Sequence, residues 1–328
     1  MQIIRKSQEL FELSIQDFLA QDRNPISLYE PMSYTIKLGG KRFRPALLLA
    51  AAYSYNSSLH NYAIDAALAV ELFHNFTLVH DDIMDVATLR RGHHTAHVKF
   101  GVDAAILTGD VMLIKCYELL MRYPDDKALS LIRIFNKMAV ELCEGQRLDM
   151  DFEKKDQVSI PDYIEMITLK TSVLLGASLQ MGAVVADANI DEQNSIYEFG
   201  KNIGIAFQIQ DDILDVYGDQ ADVGKKKAGD IIQNKKTYLY LKALELAVNE
   251  ERDFLINSYS LPTKLEEEDQ KVNAVTKIFD NLVVKEYANQ LKDAYKDLAI
   301  SHLRNSGLSN DCIDEFVMFS DYLLYRNK

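Results

Sequence analysis

The stretches Asp81-Asp82-Ile83-Met84-Asp85 and Asp211-Asp212-Ile213-Leu214-Asp215 share the pattern Asp-Asp-x-x-Asp, and each ends an apolar run with helical character. On a helix, residues four apart share a face, so the first and last Asp of each stretch lie side by side. Two like charges about 4 Å apart repel by roughly 4 kcal/mol at an effective dielectric near 20. The apolar runs before them contain no Lys or Arg. Hard divalent cations, which prefer oxygen ligands, are therefore expected at both stretches. We call residues 81–85 the first acidic word and residues 211–215 the second.

The composition limits the classes of partner. The chain has 328 residues and a formal charge of −13, from 36 Lys plus Arg and 49 Asp plus Glu. Nucleic acid and anionic membrane require a basic face, so neither is expected as a partner. No apolar run reaches the ~18 residues of a membrane span, and no signal-like segment follows Met1. Three scattered cysteines without a C-x-x-C pair predict buried thiols in a reducing cytoplasm.

Apolar residues recur at spacings of three and four, which predicts an all-α chain. No break in composition marks a second domain, so we expect a single domain over 1–328 with apolar central helices wrapped by others. Gly218–Gln233, with three glycines and three consecutive lysines, is expected to be a loop. The predicted helices are 4–20, 26–38, 44–56, 61–85, 102–122, 126–146, 160–186, 192–217, 236–248, 250–257, 271–303 and 309–325.

Five groups of basic residues accompany the acidic words. Gly39-Gly40-Lys41-Arg42-Phe43-Arg44-Pro45 joins flexible backbone and cations to a helix start, a combination typical of an anion site. Taken singly, each group also has a simpler interpretation. Residues 39–45 would be a solvated loop, and Arg90-Arg91 would form ion pairs with nearby Asp residues. Lys170 would be a snorkelling side chain. Lys225–Lys227 and Lys235-Lys236 would be solvated charges.

The histidines are possible metal ligands. Glu71-x-x-His74 matches the Glu-x-x-His word of di-iron bundles, but the chain has no second copy of it. His93, His94 and His97 lie in a polar segment without Cys. Hydrogen bonding or phosphate contact is expected of them rather than zinc binding.

In combination these segments resemble the trans-type isoprenyl diphosphate synthases. The resemblance implies an all-α, single-domain bundle of about twelve helices around a deep central cavity, the isoprenoid synthase type. One departure is His94, where the family often has proline, and another is the lysine-rich 225–230. The second departure leaves open which lysine contacts phosphate. The matching pieces, in family order, are Gly-Gly-Lys-Arg-Phe-Arg-Pro at 39–45, Leu-Val-His-Asp-Asp-Ile-Met-Asp at 78–85, Arg-Arg-Gly at 90–92, Lys-Thr at 170–171, Phe-Gln-Ile-Gln-Asp-Asp-Ile-Leu-Asp at 207–215 and Asn-Lys-Lys at 234–236.

The resemblance also implies a prenyl transfer reaction. An allylic diphosphate (dimethylallyl, geranyl or farnesyl) ionises, the double bond of isopentenyl diphosphate attacks the cation, and a proton is lost to the released diphosphate. Three Mg²⁺ ions are expected on Asp81, Asp85 and Asp211, with Asp82, Asp212 and Asp215 acting in the outer shell or through water. Isopentenyl diphosphate is expected at Lys41, Arg44, His74 and Arg91, the departing diphosphate at Arg90, Lys170, Lys225 and Lys235, and the cation between Thr171 and Gln208. The family is typically homodimeric, so a homodimer is expected, in the cytoplasm that the cysteine usage indicates.

The helix before Asp81 is expected to set the product length. Phe73, Phe76 and Thr77 precede Asp81 by eight, five and four residues. The simpler interpretation is that the two phenylalanines are core. In the family, a large residue five before the first Asp closes the pocket floor. Phe76 beside the smaller Thr77 resembles C20 producers, so geranylgeranyl diphosphate is the expected product and farnesyl diphosphate the next.

Three alternatives share this chemistry or fold: a terpene cyclase, a head-to-head prenyl condensing enzyme, and a non-catalytic regulatory subunit on the same fold. A cyclase usually carries an Asn/Asp-Ser-Glu metal word as its second motif, whereas this chain carries a second Asp-Asp-x-x-Asp. Neither enzymatic alternative explains Gly39–Pro45. A regulatory subunit is expected to have lost one acidic word, and this chain keeps both.

Overall fold

The structure, a computed structural model, describes residues 1–155, 157–218, 228–260 and 263–325. The described chain is almost entirely helical, which confirms the all-α prediction. The helices are α1 (Gln2–Leu19), α2 (Ile26–Lys37), α3 (Phe43–Tyr55), α4 (Ile64–Met84), α5 (Ala96–Phe100), α6 (Val102–Leu120), α7 (Asp125–Lys154), α8 (Ile160–Ile167), α9 (Val173–Val185), α10 (Ile190–Tyr217), α11 (Gly229–Ile232), α12 (Tyr238–Leu246), α13 (Asn249–Ser260), α14 (Glu268–Asn281), α15 (Val284–Arg304) and α16 (Asn310–Leu324). Single 3₁₀ turns lie at Ser57–Leu59, Asn61–Ala63 and Leu265–Glu267, and a π-helical turn at Thr168–Ser172 joins α8 to α9.

Two predicted helix ranges were wrong. The range 271–303 is two helices, α14 and α15, because Val283 between them takes a left-handed backbone with φ of 50°. That conformation breaks the helical hydrogen-bond ladder, and nothing in the apolar periodicity of the range signals it. The range 126–146 was too short, since α7 continues to Lys154. Most of the predicted loop at 218–233 lies outside the described residues, but its end forms the short helix α11.

The polar segment after α4 is a small hairpin. Strand β1 (Leu89–Arg90) pairs antiparallel with β2 (His93–His94). Arg91 and Gly92 both have positive φ, 53° and 77°, as in the type I′ turns that suit two-residue hairpins. The hairpin turns Arg90 and Arg91 back towards the acidic end of α4.

The prediction for the cysteines was correct for Cys116 only. Its thiol is buried and contacts the carbonyl oxygens of Ala69 and Met112, both at 3.2 Å. Cys143 is exposed and Cys312 half-buried, so neither fits the prediction of a buried thiol.

The chain divides into two compact units. The first contains Met1–Lys137, Ala177–Tyr197 and Arg304–Phe316. In it, α4 packs along α6 and α3. Most side chains of α4 between Ala66 and Phe73 are buried, which explains why the helix is apolar on more than one side.

The second unit contains Met138–Gly176, Glu198–Leu303 and Val317–Lys328. Its hydrophobic core includes Tyr163 of α8, Ile209 and Ile213 of α10, and Tyr238 of α12. The prediction of one domain over 1–328 remains a prediction.

One helical stretch, Ile160–Val185, is long and apolar enough to cross a membrane by length and composition alone. Of its most apolar window, 72% is buried inside the structure. Burial therefore accounts for the apolar character of this stretch.

Candidate active site

The first acidic word lies at the C-terminal end of α4, where its three carboxylates divide into two groups. Asp82 is 4% exposed and accepts hydrogen bonds from Nε of Arg90 at both carboxylate oxygens, each at 2.9 Å. Asp81 is half-buried and Asp85 exposed, and their spacing of four puts them together on another face of the helix. The predicted metal residues Asp81 and Asp85 are thus adjacent, while Asp82 holds the β1 strand.

Arg90 forms an ion pair with Asp82, as the simpler interpretation of the Arg90-Arg91 segment expects. Its Nη2 lies 2.7 Å from Oδ1 of Asp82. Its role towards a diphosphate stays a prediction.

Three of the four residues predicted for isopentenyl diphosphate form one cationic cluster. Nη1 of Arg44 lies 3.4 Å from Nε2 of His74. Burial and the charges of Arg44, Arg91, Arg90 and Arg42 hold the pKa of His74 well below its usual range, so the imidazole is neutral. The guanidinium of Arg91 packs against Gly40, where a Cβ would lie 2.9 Å from Nη2. Lys41 is exposed beside them.

Sequence reasoning missed the role of Arg42, whose charge lies close to His74 and Arg91 of this cluster. Arg42 is buried, pairs closely with Glu71, and lies 3.3 Å from Glu12. It also donates to the carbonyl oxygen of Ile36 at 2.6 Å. Glu71 is therefore engaged in an ion pair, which argues against the di-iron interpretation of Glu71-x-x-His74.

The residues predicted to set chain length form an aromatic column on α4. The ring centroids of Phe73 and Phe76 are 5.6 Å apart, those of Phe76 and His80 4.7 Å, and those of Phe73 and Phe135 5.1 Å. Phe73 is fully buried and Phe76 only partly so. Thr77 is buried and donates its hydroxyl to the carbonyl oxygen of His74 at 2.8 Å.

A pocket of about 190 Å³ in the second unit brings together the predicted catalytic residues Lys170, Thr171 and Gln208. Nζ of Lys170 lies 2.5 Å from Oδ2 of Asp149, and Oγ1 of Thr171 lies 3.4 Å from Oε1 of Gln208. Asp212 also lines this pocket.

Local backbone structure places Lys170 and Thr171 at this pocket. Both lie in the π-helical turn Thr168–Ser172, a feature frequent at functional sites. Gly145 of α7 allows the close approach, since a Cβ there would lie 2.2 Å from the backbone nitrogen of Lys170.

The second acidic word also divides its carboxylates. Asp211 is half-buried, whereas Asp212 is 5% exposed and accepts from Oη of Tyr163 at 2.5 Å. Burial and the charge of Asp230 raise the pKa of Asp212 to about 8. Oδ2 of Asp215 accepts from the backbone nitrogen of Asp230 at 3.0 Å, at the start of α11. The last Asp of the word therefore fixes the segment that leads to the later lysines.

The predicted phosphate-binding lysines have different outcomes. Lys225 lies outside the described residues. Lys235 is exposed, with Nζ 3.8 Å from Oδ1 of Asp230, and it lines the pocket. Its neighbour Lys236 donates to the carbonyl oxygens of Phe152 and Lys155, at 2.6 and 2.5 Å, and so caps the end of α7.

Asp149, Tyr163 and Asp230 line the pocket but were missed from the sequence. Tyr163 precedes Lys170 by seven residues, about two helical turns, and this spacing was a usable signal. Asp149 stands in a charged part of α7 where no pattern separates it from solvated residues.

The first acidic word offers carboxylate oxygens, the ligand type that Mg²⁺ prefers. Among the described residues, no group of three or more His, Cys, Asp or Glu side chains is arranged to hold a metal ion. Mg²⁺ commonly binds one or two carboxylates plus water and substrate phosphate oxygens. The adjacent Asp81 and Asp85 offer such a pair.

Comparisons with known proteins agree with this chemistry. The polyprenyl synthetase family model matches residues 25–279. The chain is 40% identical over 239 residues to a geranylgeranyl diphosphate synthase of Methanosarcina mazei, covering 72% of this chain and 73% of that protein. It is 35% identical over 335 residues to a geranylgeranyl pyrophosphate synthase of Geoglobus acetivorans, covering 99% of both. A crystal structure of a geranylgeranyl pyrophosphate synthase superposes with a TM-score of 0.95 at 41% identity, covering 100% of both chains.

Proposed function

Because this chain belongs to the polyprenyl synthetase family and is a short-chain trans-prenyltransferase, we propose that it extends allylic diphosphates with isopentenyl diphosphate to geranylgeranyl diphosphate. The observation that carries the proposal is the pocket lined by Lys170, Thr171 and Gln208 next to the second acidic word. The names of the similar synthases support the C20 product.

We assign the allylic diphosphate to the acidic words. Asp81 and Asp85 would hold two Mg²⁺ ions and Asp211 a third. Asp81 and Asp211 are half-buried and Asp85 is exposed, whereas Asp82 and Asp212 are buried. When bound, the metal neutralises charge on the departing diphosphate. Lys170 and Lys235 add positive charge on the pocket side.

The pocket residues act on the reacting carbons. As the allylic C–O bond breaks, its electron pair leaves with the diphosphate. The hydroxyl of Thr171 and the amide of Gln208, 3.4 Å apart, present polar oxygen atoms to the cation. The double bond of isopentenyl diphosphate then forms the new C–C bond, and the proton is lost to the released diphosphate.

Isopentenyl diphosphate binds the metal-free cluster of Lys41, Arg44, His74 and Arg91. The neutral His74 can donate a hydrogen bond to a phosphate oxygen without adding a fifth charge to the neighbouring arginines. This cluster has no carboxylate among its members, which suits an anion bound directly by cations.

Product length is set by the column of Phe76 over Phe73 on α4. Phe76 is only partly buried, so its ring is the one a growing prenyl chain meets first. The fully buried Phe73 supports it from below at 5.6 Å.

We further propose a cytoplasmic homodimer. Leu107 and Ile114 on α6, and Met121 directly after it, are 56%, 58% and 61% exposed and recur at seven-residue spacing. An apolar stripe of this kind is typical of a self-association surface. Light scattering should give the mass of a dimer, and Ile114→Glu should shift it towards the monomer.

The direct test is incubation with Mg²⁺, isopentenyl diphosphate and each allylic starter, followed by chain-length analysis. We expect geranylgeranyl diphosphate as the main product and loss of activity in Asp81→Asn, with the exposed Asp253→Asn on α13 as the matched control. Absence of diphosphate release with every starter would reject the enzyme and favour a regulatory subunit. Cyclic or head-to-head products would favour the corresponding alternatives.

A further inference from the structure

Asp212, the middle carboxylate of the second acidic word, is bonded entirely within the protein interior. Its Oδ2 accepts from Oη of Tyr163 at 2.5 Å and from the backbone nitrogen of Tyr238 at 3.2 Å. Its Oδ1 lies 3.5 Å from Nε2 of Gln208, at the limit of a hydrogen bond. One oxygen of Asp212 thus ties α10 to both α8 and the first turn of α12.

Tyr163 is the short and strong member of this set. Its side chain is 2% exposed and packs in the same core as Ile209 and Ile213 of α10. Burial and the neighbouring Asp212 raise the pKa of Tyr163 well above its usual range, so the hydroxyl keeps its proton and donates. At 2.5 Å its hydrogen bond is the shortest of the three contacts of Asp212, against 3.2 Å for the Tyr238 nitrogen and 3.5 Å for Gln208.

The bond acts on a different face of α10 from the one that carries Asp211. Asp211 and Asp215 are four apart and share a face of α10, while Asp212 is rotated about 100° from Asp211 around the helix axis. Holding Asp212 therefore fixes the rotation of this turn and the direction of Asp211.

The same bond links both sides of the pocket. Tyr163 lies on α8, which runs into the π-helical turn with Lys170 and Thr171, and Asp212 lies one helical turn after Gln208. Neither remaining donor replaces the hydroxyl, because the Tyr238 nitrogen is fixed in the backbone and Gln208 contacts the other carboxylate oxygen.

We infer that Tyr163 is a positioning residue of the prenyl transfer, whose hydroxyl holds Asp212 and thereby directs Asp211 at the metal and sets the spacing between Lys170 and Gln208. The inference rests on the proposed function. It assigns Asp212 a role as hydrogen-bond acceptor in place of the outer-shell role expected from the sequence.

The test is the Mg²⁺ dependence of Tyr163→Phe. We expect the half-saturating Mg²⁺ concentration to rise and kcat to fall by up to about tenfold, the order of magnitude for losing one buried hydrogen bond. KM for isopentenyl diphosphate should stay unchanged, since that substrate binds the metal-free cluster. Tyr240→Phe is the matched control: this buried tyrosine stacks on Tyr259 at 3.9 Å and takes no part in the Asp212 bonds.

Asp212 variants separate positioning from a metal role. In Asp212→Asn the carbonyl oxygen can take the place of Oδ2 and keep both Tyr163 and Tyr238, while the amide nitrogen faces a flipped Gln208. This variant should keep most of the activity and the normal Mg²⁺ dependence, whereas Asp212→Ala should behave like Tyr163→Phe. These two variants also serve as the test if Tyr163→Phe does not fold.

Two results would overturn the inference alone: normal Mg²⁺ dependence in a folded Tyr163→Phe enzyme, or a loss in Asp212→Asn as large as in Asp211→Asn. A wild-type enzyme without any prenyl transfer would instead overturn the proposed function.

Discussion

Gly109 of α6 and His80 of α4 are in such close contact that a Cβ on residue 109 would lie 2.3 Å from Nε2 of His80. His80 directly precedes the first acidic word, its ring packs edge-on against Phe76, and Nε2 lies 3.3 Å from the carbonyl oxygen of Ile106. The small residue on α6 thus determines where the end of α4 can lie.

Gly109→Ala should displace His80, because no side chain fits in the gap. We expect a loss of about 1–3 kcal/mol in the free energy of unfolding, the usual effect of overpacking, and lower activity through the shifted Asp81. Denaturant unfolding and steady-state kinetics measure both effects. Adding His80→Ala should relieve the clash, so a double variant less stable than Gly109→Ala would contradict this interpretation.

Phe76→Ala should lengthen the product, since it removes the ring that closes the floor while the buried Phe73 remains. Chromatography of the dephosphorylated products from a fixed starter measures the shift to C25 and longer. Phe100→Ala, a half-buried ring that packs on Tyr34 at 5.4 Å, is the matched control. Products that stay at C20 in Phe76→Ala would contradict the assignment of the floor.

Asp149→Asn should impair catalysis without unfolding the protein. The Lys170–Asp149 pair is about 30% exposed on both sides, and such partly exposed pairs contribute only about 0–1 kcal/mol to stability. Loss of the carboxylate leaves Nζ of Lys170 unrestrained at the pocket, so kcat should fall by about tenfold. The control is Asp151→Asn on the same helix, where the carboxylate forms an exposed ion pair with Arg147. A large loss of stability with normal kcat would assign the pair a structural role.

Lys271 should make stability depend on pH in the alkaline range. Burial lowers its pKa from 10.5 to about 8, while Nζ donates to Asn234 and to Oγ1 of Thr263. Between these two pH values the unfolded chain binds more protons than the folded one, so the contribution of Lys271 to stability rises with pH and is lost as pH falls through about 8.

The matching measurement is denaturant unfolding at about pH 8 and about pH 10. Relative to Lys271→Met, the wild-type protein should gain about 1 kcal/mol at the higher pH, a value reduced for the partial exposure of the amine. The exposed Lys277→Met on the same helix should show no such difference. An equal response of both variants would contradict the shifted pKa.

Much of the site follows from local spacing. The pairing of Asp81 with Asp85 depends only on helical periodicity, and the all-α fold follows from the apolar repeat. The break at Val283 did not follow, because a left-handed residue without glycine or proline has no signature in sequence. The same holds for the π-helical turn at Lys170, which depends on the packing of Gly145.

The sequence by itself determined the family, the helices and the two acidic words, since these depend on residue type and on spacings within one helix. Only the tertiary structure decided which Asp of each word faces inward. Asp82 is held by Arg90 and Asp212 by Tyr163, residues whose bonding depends on where separate helices and strands lie in space. A buried carboxylate must find hydrogen-bond donors, and the sequence does not specify which donor will be within reach.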